Sequence, residues 1–577
     1  MSLNRRDCLK LTSLLAASSS FPGQSFGAAG ASAEGRPRAV AIVDSAGVGH
    51  DYRPALELLC EYVDAHLEAY GLPGITVSIT DAEGLKAVIS AGWSDVDRRE
   101  AVAPEHLFQI GSISKSFAGL AILRLVDTGK LDLDTEVREL LPGVALPDGV
   151  RITIRHLLTH TSGLAADAPL FPRGEGGELW VGFDPGSRFS YSNLGYGLVG
   201  AVVEHLQQMP YHEALTRNVL TPLGLGAVLP RISASDRARY AASYYPYYID
   251  RPFPRSGRQV RAPWINFSSA AGCIGATSRQ MADYARWLIQ AARGDGAPLL
   301  SEPSRRAYLA PAVPVSIFGP GAHYALGLGV LPIDGDVCLH HTGGMLSFVS
   351  ALTVDPTNGV GAFASVNARA EEAYRPAAVT RYAIQLLRAV REHRSLPAAP
   401  PIPSATHFEG ARALIGRYRG SDGDEIELIA SGDGLGLRHS GIVRALQPAD
   451  PDSFIAVGPG DESFNLLLRT DNGSVHSVGW GSRLYLADAL VPPEPLPHEL
   501  QRLTGVYDSD NLWTGQHEVS ARADGLWLDG TTPLTLLNDG SFRVGREEWS
   551  PERVRFSGDL NGQPVRMSLS SVDFIRV

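Results

Sequence analysis

A short pattern of leucine, glycine and tyrosine occurs twice towards the end of this 577-residue chain. Leu414-x-Gly416-x-Tyr418 returns as Leu503-x-Gly505-x-Tyr507, Asp433-Gly434-Leu435-x-Leu437 returns as Asp524-Gly525-Leu526-Trp527-Leu528, and Ser453-Phe454 returns as Ser541-Phe542. All three offsets are about 90 residues, so the period holds across most of each unit and marks two copies of one fold. Within each copy, short β-like runs alternate with Gly, Asp and Asn turns, the pattern of an antiparallel domain. At about 85 residues, a closed or nearly closed barrel suits each copy, because closure removes exposed strand edges. Proline-rich segments precede both copies, Leu396-Pro397-Ala398-Ala399-Pro400-Pro401-Ile402-Pro403 and Val491-Pro492-Pro493-Glu494-Pro495-Leu496-Pro497. Proline fixes φ and removes a hydrogen-bond donor, so these are stiff, extended linkers. Two β-barrel-like domains are expected at 404–490 and 498–577.

The chain before the first linker reads differently. Gly74-Ile75-Thr76-Val77-Ser78-Ile79 is strand-like, whereas Met281, Tyr284 and Leu288 are spaced for one face of a helix over 278–292. An α+β unit at 45–394 follows. Residues 1–33 read as an export signal, with Arg5-Arg6 ahead of an apolar stretch too short to span a bilayer and small residues up to Ala33. This segment resembles a twin-arginine signal, with Cys8 where an aromatic residue is usual, and it places the mature chain in a bacterial periplasm or outside the cell, without a stable membrane anchor. Cys60, Cys273 and Cys338 are then an odd, widely spaced set, read as small buried thiols rather than a disulfide framework. A formal net charge of -11 disfavours nucleic acid and anionic membranes as partners, since both require a basic face. A small molecule or peptide is the expected substrate; oligomeric state is not legible.

The chemistry centres on Gly111-Ser112-Ile113-Ser114-Lys115, followed by the apolar run Leu120-Ala121-Ile122-Leu123. If Ser112 opens a helix, Lys115 three residues on lies on the same face, within reach of the hydroxyl. A serine is a weak nucleophile until a base takes its proton, and a lysine serves once burial lowers its pKa. The helix N-terminus adds N–H donors for a developing oxyanion. Two further segments follow in order: Tyr191-Ser192-Asn193, and His341-Thr342-Gly343-Gly344.

These three segments, with Ile154-Arg155-His156-Leu157-Leu158-Thr159-His160-Thr161-Ser162-Gly163-Leu164, resemble the signature of class C β-lactamases, DD-peptidases and their esterase and aminopeptidase relatives, over roughly residues 50–390. The resemblance implies that Ser112 is acylated, that Lys115 and Tyr191 share the proton transfers, and that Asn193 orients the substrate amide. Which of Lys115 and Tyr191 is the base stays open. It further implies that His341 and Gly343 contact substrate and that Gly344 joins Ser112 in an oxyanion hole. No cofactor and no metal are expected: His340 and His341 point to opposite faces of a strand, and no paired ligand motif is present.

The third segment departs from the β-lactamase pattern, which has lysine where this chain has His341. Histidine is mostly neutral at pH 7, so it attracts a substrate carboxylate less strongly. The departure resembles the D-aminopeptidase and esterase branches, and a three-domain D-aminopeptidase has the same layout of catalytic domain and two barrels. In that layout a loop of the last barrel reaches the active site; here it would lie within 503–577. The expected activity is D-stereospecific aminopeptidase or amidase, with carboxylesterase, β-lactamase or DD-carboxypeptidase, and a non-catalytic peptidoglycan-fragment binder as alternatives. Trp180 and Phe183 are candidates for the pocket lining, whereas Tyr240 to Tyr248 reads as a packed aromatic loop.

Overall fold

The computed structural model describes residues 35–577 apart from 44–49, 172–178, 247–258, 296–298, 370–375, 403–413 and short stretches of the barrels and of the linker between them. The export-signal reading of 1–33, Tyr247 and Tyr248 lie outside the described residues.

Alternation in the strands builds the first unit. Strands β1 (Val40–Val43), β2 (Gly74–Asp81), β3 (Gly84–Asp95), β4 (Val313–Pro314), β5 (His323–Tyr324), β6 (Gly329–Ile333), β7 (Asp336–Gly344), β8 (Val349–Asp355) and β9 (Val360–Val366) form one antiparallel sheet in the order β1-β3-β2-β9-β8-β7-β6-β5-β4. Ile75, Val77 and Ile79 of β2 join a core with helices α1 (Arg53–Ala69) and α5 (Ala377–Arg391). Between them Thr76 points to the opposite face, where its Oγ1 donates to Ser278 Oγ at 2.9 Å, at the start of α4 (Ser278–Arg293). Helices thus cover both faces, which is why every residue of β2 is buried. The helical face of α4 predicted from Met281, Tyr284 and Leu288 is the buried one. Helices α2 (Ser114–Asp127) and α3 (Asn193–Gln207) belong to a second, larger core beside the sheet. The unit is α+β, as its mixed periodicities predicted.

Residues 394–402 carry no helix or strand, and two closed eight-stranded barrels follow, over 416–487 and 505–576, each with sequential strands as neighbours. Their shared pattern has a structural cause. Tyr418 Oη donates to Leu414 O at 2.9 Å, and Tyr507 Oη donates to Leu503 O at 2.8 Å. In each barrel the leucine and tyrosine are buried, so the phenol reaches back and satisfies a carbonyl that the entering chain would otherwise bury unpaired. The repeated leucines Leu435, Leu437, Leu526 and Leu528 and the repeated Phe454 and Phe542 fill the barrel interiors.

The second barrel packs against the catalytic unit. Trp180 Nε1 donates to Pro551 O at 2.6 Å, and Phe183 meets Trp549 edge-on with centroids 6.1 Å apart. Gly182 makes this approach possible: a Cβ there would fall 2.3 Å from Trp549 O and 2.6 Å from Pro551 N. A second contact sets Trp513 5.7 Å from Phe267. Trp180 and Phe183 therefore meet a barrel turn, and Tyr240 and Tyr244 are buried in the manner expected of a packed loop.

Candidate active site

Ser112 sits in a single 3-10 turn, Gly111–Ile113, that runs straight into α2. Lys115 is fully buried, and its Nζ donates to Ser112 Oγ at 3.0 Å, to Asn193 Oδ1 at 2.7 Å and to Ala271 O at 2.8 Å. Burial lowers its pKa to about 7, against a smaller upward pull from the negative charge of Asp167. A neutral amine keeps two N–H donors, which suffice for Asn193 and Ala271, and leaves its lone pair for the serine proton.

Asn193 opens α3, whose N-cap Ser192 accepts from Gly195 N at 3.0 Å and donates to Ala165 O at 2.7 Å. Its two side-chain ends are used differently: Oδ1 accepts from Lys115, and Nδ2 donates to Asp167 Oδ1 at 2.8 Å. The Tyr191 ring lies 4.8 Å from Lys115 Nζ and stacks on His160 with centroids 4.1 Å apart. His160 Nδ1 accepts from Ser192 N at 3.0 Å, so the proton of the neutral ring is on Nε2. Its pKa falls well below 6.5 because the ring is buried and faces Lys115 and His341.

The third segment is the end of β7. A Cβ on Gly343 would lie 1.9 Å from Ile110 O, and one on Gly111, where φ is +55°, would lie 2.7 Å from Gly344 N. Glycine at these positions lets the strand end press against the backbone just before Ser112. His341 behaves differently from a substrate-facing cation. It is buried, its Nδ1 lies 2.6 Å from Thr342 O and its Nε2 lies 2.9 Å from Tyr324 Oη. A carbonyl only accepts, so Nδ1 carries the proton and Nε2 accepts from the tyrosine. Burial, with Lys115 nearby, lowers its pKa to about 3, so the ring is uncharged and both nitrogens are occupied within the protein.

The structure therefore brings Ser112, Lys115, Asn193, Tyr191, His341, Gly343 and Gly344 into one region, and adds residues that sequence reasoning did not name. Ala271 contributes only a carbonyl, which leaves no side-chain signal. Asp167 is three residues past the Ser162-Gly163-Leu164 landmark but carries no pattern of its own. Glu552 is on the second barrel; its Oε1 accepts from Ala166 N at 2.7 Å. Among the described residues no group of three His, Cys, Asp or Glu side chains could hold a metal ion.

The family model described as Beta-lactamase matches residues 59–387, more than half of the chain. Penicillin-binding protein 4 of Amycolatopsis lactamdurans is 30% identical over 263 residues, covering 42% of this chain and 67% of that one. Protein flp of Staphylococcus aureus is 28% identical over 178 residues, 28% of this chain and 35% of its own length. Among solved structures, the octameric penicillin-binding protein homologue from Pyrococcus abyssi has the same fold, with a TM-score of 0.52 and 23% identity over 75% of this chain and 99% of that one. The chain belongs to the β-lactamase family and is a serine hydrolase of the penicillin-binding-protein-like type.

Proposed function

We propose that the chain hydrolyses small amides bearing a free amino group, as a D-stereospecific aminopeptidase or amidase working through an acyl-enzyme on Ser112. Neutral Lys115 takes the Ser112 proton as Oγ attacks the carbonyl carbon. The backbone N–H groups of Ser112 and Gly344 receive the oxyanion. The C–N bond breaks as the proton passes to the leaving amine from Lys115, with Tyr191 beside it as the partner in transfer, and water then repeats the cycle on the ester. Asn193 links the lysine to the substrate amide.

The observation that carries the substrate reading is the distribution of charge. Asp167 is exposed and held by Asn193 next to the buried lysine, with the Glu552 carboxylate behind it, whereas the third segment offers no cation because His341 is neutral and occupied. Such a site favours an ammonium group over a carboxylate. The layout of catalytic unit and two barrels, with the turn at 549–552 against Trp180 and Gly182, supports substrates short enough to end there.

The test compares wild type with Ser112→Ala on D-alanyl and L-alanyl p-nitroanilides, p-nitrophenyl acetate and a chromogenic cephalosporin. The expected result is turnover of the D-alanyl anilide, abolished by the substitution. Ser112-dependent turnover confined to the ester would replace this reading with carboxylesterase; turnover of the cephalosporin alone would replace it with β-lactamase. Absence of any difference between the two proteins would favour a peptidoglycan-fragment binder.

A further inference from the structure

Glu552 is a carboxylate placed where electrostatics opposes it. Its pKa is raised, chiefly by burial and further by the neighbouring charge of Asp167, and hydrogen bonds from Ser570 Oγ and Ala166 N counter this only in part. It touches neither Ser112 nor Lys115. What it touches is a three-residue segment, Ala165-Ala166-Asp167, to which the start of α3 is fastened at several points. Ser192 Oγ donates to Ala165 O, while Asn193 N and Leu194 N donate to Ala166 O at 2.7 and 3.1 Å. Those two amides are among the first of the helix, which have no intrahelical acceptor. The Asp167 carboxylate then accepts from Asn193 Nδ2.

The segment is thus held from both sides of the Ala166 residue: its carbonyl receives the helix, and its N–H is received by the second barrel. We propose that Glu552 is a positioning residue for catalysis, acting through Ala166 and Asn193 on Lys115, so that the second barrel completes the catalytic array as well as walling it. Without that acceptor the Ala166 N–H is left unpaired, the segment relaxes, and Asn193 no longer holds the Lys115 amine with its lone pair towards Ser112. The inference concerns activation of the serine and holds whichever acyl group the enzyme accepts.

The acceptor, rather than the charge, is the functional element, which makes the proposal separable from a general loss of stability. In the full-length chain, Glu552→Gln keeps an oxygen that can accept from Ala166, whereas Glu552→Ala does not. The rate of Ser112 labelling by a fluorophosphonate probe, and the kcat and KM for p-nitrophenyl acetate, read activation without reference to the natural substrate. Glu552→Gln is expected to stay within about twofold of wild type, and Glu552→Ala to lose about tenfold or more in labelling rate and kcat with KM little changed. Hydrogen exchange in the alanine variant should quicken at Asn193 and Leu194, with the remainder of the barrel still protected.

Gly182→Ala provides an independent route, since its Cβ would intrude on Trp549 O and Pro551 N and lift the same turn without removing a polar group. It is expected to reproduce the slow labelling. Three results would overturn the proposal: wild-type labelling by Glu552→Ala, equal losses in the alanine and glutamine variants, or intact labelling by Gly182→Ala when exchange shows that the 549–552 turn has lifted.

Discussion

Lys115 Nζ stands 3.0 Å from Ser112 Oγ, with Asn193 Oδ1 and Ala271 O as its other acceptors. The amine takes a proton only when neutral, and its pKa is lowered to about 7. With Lys115 as the base, activity is expected to rise with pH through about 7 and to fall on acidification as the ammonium form accumulates. The acid limb of kcat/KM should be centred there, and Lys115→Met should cost about 10²–10⁴-fold, as expected on removing a positioned base.

Asp167 raises the lysine pKa through its negative charge. In Asp167→Asn that stabilisation of the ammonium is gone, so the acid limb should move to lower pH. A pH–rate profile of the variant on a neutral ester checks the direction, and an ester is chosen because the substitution also alters ammonium binding.

Gly343→Ala tests the strand end. With a Cβ only 1.9 Å from Ile110 O, the strand must retreat from the backbone preceding Ser112. Loss of one oxyanion donor costs about 10²–10³ in kcat. A loss of that order, with far-ultraviolet circular dichroism unchanged, is expected; near-normal kcat would remove Gly344 from the oxyanion hole.

His160, His340 and His341 are buried with pKa values below the ordinary 6.5, His340 at about 4 and His341 at about 3. The unfolded chain binds protons at these rings below pH 6.5 while the folded chain does not, so stability falls as pH drops from 6.5. Each ring contributes a slope of up to about 1.4 kcal/mol per pH unit in that window. Urea unfolding between pH 7 and 5 measures it, and His340→Gln should reduce the slope.

Tyr418→Phe and Tyr507→Phe each remove a hydrogen bond to a buried carbonyl. Each should destabilise its barrel by about 1–3 kcal/mol, the cost of an acceptor left unpaired. Exchange at the amides of the affected barrel, compared with the other barrel, identifies which one loosens.

The pair Ser112 and Lys115 was legible because Tyr191-Ser192-Asn193 and His341-Thr342-Gly343-Gly344 follow it in order; the three-residue spacing, which here spans a 3-10 turn and the start of α2, then brings amine and hydroxyl within reach. The repeat was legible for a related reason: Tyr418 and Tyr507 each bond within four residues of themselves, so a local rule was copied with the domain. Asp167, Ala271 and Glu552 were not, because their parts depend on where distant segments pack and two of them act through or beside backbone groups that any residue possesses. His341 shows a limit of another kind. Its identity suggested weak positive charge, but burial and the Tyr324 hydroxyl, both tertiary facts, decide that it carries none. That residues 549–552 and Trp513 meet the catalytic unit at Trp180, Gly182 and Phe267 came from the fold, since a turn has no sequence mark for the partner it meets.

The separation of Ser112 from the turn at 549–552 also sets an order of events in time. Domains fold largely as units, the earlier ones first as the chain is made. The catalytic unit can collapse around its serine long before residue 552 has been synthesised, yet the wall at Trp180 and Gly182 has no opposite side until the second barrel closes. An unfinished chain would carry Ser112 and Lys115 without the barrel turn that packs on Trp180 and Gly182, so this face of the catalytic unit is completed last, when the final barrel closes.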